Sequence, residues 1–142
     1  MEKLEEFVLD SSVTLAWYFK DEPNEYANSV REMMVRSRAI VPGLWPLEVA
    51  NSVVIGERRG RSTRAQAATW LSVLGAFPIR VDDETSVRAW GDTLNIARAQ
   101  NLSAYDAAYL EVAMRRGLPI ATLDDELKAA AMAVGVSLYA AS

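Results

Sequence analysis

Phe7-Val8-Leu9-Asp10-Ser11-Ser12-Val13 is a short apolar run that stops on a carboxylate and passes at once into a helical segment, Ser12 to Phe19. An apolar run of this length, closed by a helix, reads as a strand buried on both faces. The pattern recurs along the chain. Ala39-Ile40-Val41 is stopped by Pro42-Gly43, Ile79-Arg80-Val81 is a brief strand, Leu118 to Thr122 leads to Asp124, and Val136 to Tyr139 is a last strand. The segments between them carry helical periodicity. Asn24 to Arg36 spaces Tyr26, Val30, Met33 and Met34 along one face and leaves Arg31, Glu32 and Arg36 outward. Leu44 to Arg59 is a helix ending at Gly60, and Thr63-x-x-Gln66 is a capping box opening a helix that stops at Gly75. Asp83 to Gln100 places Val87, Trp90, Leu94 and Ala97 on one stripe; Ser103 to Arg116 is closed by Gly117; Asp124 to Ala133 is the last helix. Strands alternating with helices predict a three-layer α/β/α sandwich around a mainly parallel sheet, with residues 1–142 as a single domain.

Four acids fall where such a fold gathers ligands. Asp10 and Asp124 follow strands, and ligands of open parallel sheets collect at the carboxyl ends of strands. Glu48 and Asp106 lie in the first turns of their helices and can point to the same edge. If all four converge, only a hard cation relieves their repulsion, and oxygen ligands alone favour Mg²⁺ or Mn²⁺. Each acid also has a purely structural reading. Ser103-x-x-Asp106 and Thr122-x-x-Asp125 fit capping boxes, which gives Asp125 to the cap and Asp124 to the site. Glu48 sits among large apolar residues on a helix expected to be mostly buried, and Asn51 follows one turn later on its face.

Composition narrows the chemistry. The chain has no histidine, so Ser-His-Asp and Cys-His catalysis and imidazole ligation are excluded. It has no cysteine, which excludes disulfides and thiolate metal sites and agrees with a cytoplasmic protein. The start, Met1-Glu2-Lys3-Leu4-Glu5-Glu6, lacks the layout of a signal peptide, and no apolar stretch reaches membrane-spanning length. Net charge is −4, yet setting the four acids aside leaves 15 Asp and Glu against 15 Lys and Arg. Arg58, Arg59, Arg61 and Arg64 cluster at a helix–helix corner, either a solvated turn or a set of phosphate contacts.

The motifs together resemble a known family. Phe7 to Val13, Trp45-Pro46-Leu47-Glu48-Val49-Ala50-Asn51, Leu102-Ser103-Ala104-Tyr105-Asp106-Ala107-Ala108-Tyr109 and Ala121-Thr122-Leu123-Asp124-Asp125-Glu126-Leu127 are similar, in order and spacing, to the four motifs of PIN domains, specifically the VapC-type ribonuclease toxins. The resemblance implies a PIN-like fold whose acids, here Asp10, Glu48, Asp106 and Asp124, bind one or two Mg²⁺ or Mn²⁺ ions. It matches Ser12, Asn51 and Thr122 to polar neighbours that orient ligands or substrate. It implies RNA phosphodiester hydrolysis by metal-activated water, a cognate antitoxin and a homodimer, and leaves Glu48 as ligand, water-orienting group or base. Trp17, Tyr18, Trp45 and Tyr105 flank the motifs and are expected to be core residues or platforms for unstacked bases. The helical stretches Tyr26–Met34 and Trp45–Ile55 read equally as antitoxin docking surfaces and as core.

Other readings fit less well. A receiver domain needs an acidic pair after the first strand and a late lysine, but Asp10 is single and the lysines are Lys3, Lys20 and Lys128. A haloacid-dehalogenase-type phosphatase needs a second Asp where Ser12 stands. A non-catalytic binding module remains the alternative.

Overall fold

The computed structural model describes residues 4–19, 21 and 23–140, so the chain's opening Met1-Glu2-Lys3, and with it Lys3 and Lys20, lies outside the described residues. Four strands, β1 (Glu5–Leu9), β2 (Ser37–Val41), β3 (Ile79–Val81) and β4 (Ile120–Ala121), form one parallel sheet in the order β3-β2-β1-β4. β1 is interior, with Val8 opposite Ile40 on one side and Ile120 on the other. Phe7, Val8, Leu9, Ile40, Val41 and Ile120 are fully buried, as expected of strands covered by helices on both faces. The result is a three-layer α/β/α sandwich.

The helices are α1 (Ser11–Tyr18), α2 (Glu25–Met33), α3 (Trp45–Arg58), α4 (Arg64–Gly75), α5 (Thr85–Arg88), α6 (Leu94–Gln100), α7 (Ala104–Arg116) and α8 (Asp125–Ala133). Local chemistry sets several of their ends. Asn24 caps α2 by accepting from Ala27 N, and Thr63 and Gln66 form the full capping box of α4. Gly117, at φ 65°, closes α7 in the left-handed region.

Four sequence expectations are corrected. Residues 136–139 make a single bridge, Ile120 to Leu138, since their partner β4 is only two residues long and adjacent Ser137 and Leu138 are both exposed, without a strand's alternation. Tyr139 beyond them stacks on Phe7 at 4.1 Å between ring centroids. The strand expected from Leu118 to Thr122 pairs over Ile120–Ala121 alone. α3 is half exposed, with Leu47 and Val54 in solvent and Val49 and Val53 inward. The helix from Asp83 to Gln100 is interrupted by a π-helical turn, Ala89–Thr93, between α5 and α6. A π turn inserts an extra residue and rotates the faces on either side out of phase. Ala97 stays buried, but Val87 and Trp90 are 80% and 93% exposed, and Thr93 takes an inward position instead.

A buried ion network ties the edge strand to α7. Arg115 donates to Asp82 (2.8 Å), Glu111 (2.8 Å) and Glu84 (3.2 Å), and Arg116 donates to Asp82 (2.7 Å). Burial alone pushes the Asp82 carboxyl up, but the bonds from Arg115, the Glu84 backbone N–H and Arg116 outweigh it and hold it at about 2.

Candidate active site

Parallel β1 and β4 end side by side, and each hands the chain to a helix through an acid. Asp10 follows β1 and its own N–H bonds Ala121 O at 3.0 Å, so it is pinned to the sheet edge beside β4. The side chain is buried, at 4% exposure. Two hydroxyls converge on one of its oxygens: Ser12 Oγ donates to Asp10 Oδ2 at 2.6 Å and Thr122 Oγ1 at 2.7 Å. Both hydroxyls are themselves oriented by backbone, because Leu123 N donates to Ser12 Oγ and Asp124 N to Thr122 Oγ1, each at 3.0 Å. A hydroxyl that accepts from a fixed N–H turns its own proton toward the carboxylate. Asp10 Oδ1 has no side-chain partner among the described residues.

The other acids approach from separate elements. Asp124 caps α8, its Oδ1 accepting from Leu127 N at 3.1 Å. This corrects the expectation that Thr122 and Asp125 form the cap: Thr122 Oγ1 accepts from Asp124 N and not from Asp125 N, the helix begins one residue past Asp124, and Asp125 is exposed. Glu48, in the first turn of α3, accepts from the phenol of Tyr109 through Oε1. Asp106 lies in the first turn of α7, whose cap is the Ser103 hydroxyl accepting from Asp106 N at 3.1 Å. Ser103 thus does the capping, its hydroxyl lies close enough to ease the Asp106 carboxylate downward, and no Lys or Arg among the described residues pairs with that carboxylate.

The acids feel one another in pairs. Burial raises the Asp10 carboxyl above the usual range, with a further push from Asp124. Glu48 is raised by burial and then by Asp10 and Asp106, and Asp106 by burial and then by Asp124, Asp10 and Glu126. Among the described residues no three of these groups stand close enough to hold a cation as placed. The donor set nevertheless suits one: oxygen only, mutually repelling, and among the described residues paired with no Lys or Arg. Asp10, Glu48, Asp106 and Asp124 are the residues that would hold a hard divalent ion.

The remaining residues singled out from sequence fall in different places. Ser12 and Thr122 touch Asp10, whereas Asn51 is exposed on α3 without a side-chain hydrogen bond among the described residues. Arg58, ten residues beyond Glu48 on α3, is roughly 15 Å away along the axis. Arg61 is bound to Asp21 at 3.0 Å and lies over the Phe19 ring; Arg58, Arg59 and Arg64 are exposed at the α3–α4 corner. Trp17 and Trp45 are core residues whose indole N–H groups bond Ala27 O and Thr14 Oγ1; Tyr105, beside Asp106, is 67% exposed. Of the stretch Tyr26–Met34, Ala27, Val30 and Met34 are core.

Tyr109 and Glu126 were missed from sequence. Both were within reach of a spacing argument, since Tyr109 lies three residues after Asp106, hence on the same face of α7, and Glu126 is in the first turn of α8.

The PIN domain family model matches residues 7–132, which contain all four acids. The chain belongs to the PIN domain family. Among solved structures, this PIN domain is similar to PAE2754 from Pyrobaculum aerophilum, with TM-score 0.66 and 28% identity over 89% of this chain and 79% of that one. It shares its fold with FitAcB from Neisseria gonorrhoeae, TM-score 0.64, 16% identity, 94% and 96% covered. It also shares it with VapBC2 from Rickettsia felis bound to a DNA fragment from their promoter, TM-score 0.65, 14% identity, 94% and 97% covered. No curated protein matches the chain. Among the described residues no helix is long and apolar enough to cross a membrane.

Proposed function

We propose that this PIN domain is a divalent-metal-dependent ribonuclease of the VapC type, the cytoplasmic toxin of a toxin–antitoxin pair. One observation carries the reading. Asp10, Glu48 and Asp124 are each held through one oxygen by a protein donor, and among the described residues no Lys or Arg pairs with any of them or with Asp106. Buried Asp82, by contrast, ends in ion pairs with Arg115 and Arg116.

When bound, Mg²⁺ or Mn²⁺ supplies Lewis acidity toward a phosphoryl oxygen and lowers the pKa of water. The chain's own residues prepare for that. Ser12 and Thr122 hold Asp10 in one rotamer, and the α8 cap holds Asp124. Glu48 and Asp106 complete an oxygen-lined set carried by helices and a sheet edge, and a cation would draw the carboxylates the remaining distance together. Tyr105, exposed next to Asp106, offers a face for an unstacked base, which suits single-stranded RNA.

The partner surfaces are apolar. A groove of about 870 Å³ between the end of α1 and α4, walled by Trp17, Tyr18, Phe19, Trp70 and Phe77, suits an apolar antitoxin segment. The exposed Val87–Trp90 face suits a second copy of the chain.

The test is cleavage of a mixed RNA pool with Mg²⁺ or Mn²⁺ by wild type, by Asp10→Asn and in EDTA. Cleavage that both changes abolish is the expected result. A wild type that cuts no RNA class with any metal, or an Asp10→Asn that cuts equally well, sinks the reading in favour of a binding module.

A further inference from the structure

Tyr109 is fully buried in the middle of α7, and a phenylalanine would fill the same space. Its hydroxyl therefore needs a separate explanation, because burying one without a strong partner is unfavourable. The partner is Glu48 Oε1. A carboxylate oxygen only accepts, so in this pair the phenol is the donor.

Glu48 needs holding more than Asp10 or Asp124. Asp10 is buried and clamped by two hydroxyls, and Asp124 is tied to its own helix. Glu48 is only half-buried, has three rotatable side-chain bonds, and faces the negative charges of Asp10 and Asp106. Repulsion from those charges favours a rotamer that swings outward into water. Tyr109 opposes this from the same helical face that carries Asp106, three residues away, so the spacing between clamp and neighbouring acid is set by the rigid turn of α7.

We propose that Tyr109 is a positioning residue: its hydroxyl holds Glu48 Oε1 so that Oε2 stays turned toward Asp10 and Asp106, where a divalent cation is received. The assignment rests on the four acids being the cation site of the proposed nuclease. It goes beyond that reading in giving this cation site a hydroxyl donor from the core, in addition to its four carboxylates.

The experiment is Mn²⁺ binding by calorimetry, without RNA, to wild type, Tyr109→Phe, Glu48→Gln and the double variant, alongside metal-free thermal melts. Loss of a partner that orients a ligand typically weakens metal binding 10- to 100-fold, so Tyr109→Phe is expected to bind Mn²⁺ at least roughly ten-fold more weakly. Its metal-free melting temperature should stay within about 4 °C of wild type, since the ring remains and Glu48 can turn to water. In the Glu48→Gln background the same change should matter less than about two-fold, because the group it positions is altered. Unchanged Mn²⁺ affinity in Tyr109→Phe overturns the proposal, as does an equal loss in both backgrounds. A collapsed melting temperature assigns Tyr109 to the core alone and overturns it too. RNA cleavage plays no part in these readouts. A wild type that binds Mn²⁺ but cuts no RNA removes the nuclease reading and leaves this one intact, and a wild type that binds no Mn²⁺ removes both.

Discussion

Asp10 is nearly inaccessible to water, and only its surroundings make a carboxylate tolerable there. Burial raises its pKa, and the two hydroxyls from Ser12 and Thr122 pull it back. Thr122→Val keeps the shape and removes the donor that lies 2.7 Å from Oδ2. That variant should lose about 1–2 kcal/mol of stability in urea melts, because a hydrogen bond to a charged group is lost and Asp124 N loses its acceptor. Its cleavage rate should fall roughly 10- to 100-fold, the usual result of removing a group that orients a ligand. The reach of sequence reasoning also shows at this scale. Asp10, Glu48, Asp106 and Asp124 stand out in the sequence as a candidate set because each follows a strand or opens a helix, and the structure puts Asp10 at the sheet edge, Asp124 at the cap of α8 and the other two in first helical turns. Which of Asp124 and Asp125 caps α8 is not legible there, since both offer a carboxylate at the right place. The choice depends on the turn after β4, where Thr122 Oγ1 accepts from Asp124 N while its proton goes to Asp10, 112 positions away, and the helix starts after Asp124.

At the scale of elements, buried parallel strands announce themselves as uninterrupted apolar runs, and Phe7–Leu9 and Ala39–Val41 did so. The π turn gave no such signal. Val87, Trp90, Leu94 and Ala97 fit a regular helical stripe, and one inserted residue is invisible to a periodicity that assumes none. Two substitutions check its placement. Trp90→Ala should change stability by no more than about 0.5 kcal/mol, the range for an exposed site, where a core tryptophan would lose about 3–5 kcal/mol. Thr93 Oγ1 is buried without a hydrogen-bond partner, so Thr93→Val should stabilise the protein by roughly 1 kcal/mol. Equilibrium urea unfolding measures both.

Across the whole molecule, the Asp82–Arg115–Arg116–Glu111 network joins the far edge of the sheet to the helix that carries Asp106 and Tyr109. Arg115→Ala strands a buried Asp82 and Glu111 with one fewer cation and should lose about 3–5 kcal/mol, read from the urea midpoint. The pH dependence has a definite sign. The folded Asp82 pKa of about 2 lies below its ordinary 3.8, so its stabilisation is complete above that ordinary value and is lost as pH falls through 2. Over that window wild type should lose roughly 2 kcal/mol more than Asp82→Asn, measured by urea melts from pH 5 to pH 2. The clamp on Asp10 has a further consequence when the order of synthesis is considered. Thr122 lies 112 positions after Asp10 and is synthesised well after it. Until β4 pairs with β1, Asp10 has the Ser12 hydroxyl alone and lacks its neighbour Asp124. The proposed cation site is therefore assembled by the closing of the sheet between β1 and β4, and any chain that lacks β4 carries its first acid in an unfinished setting.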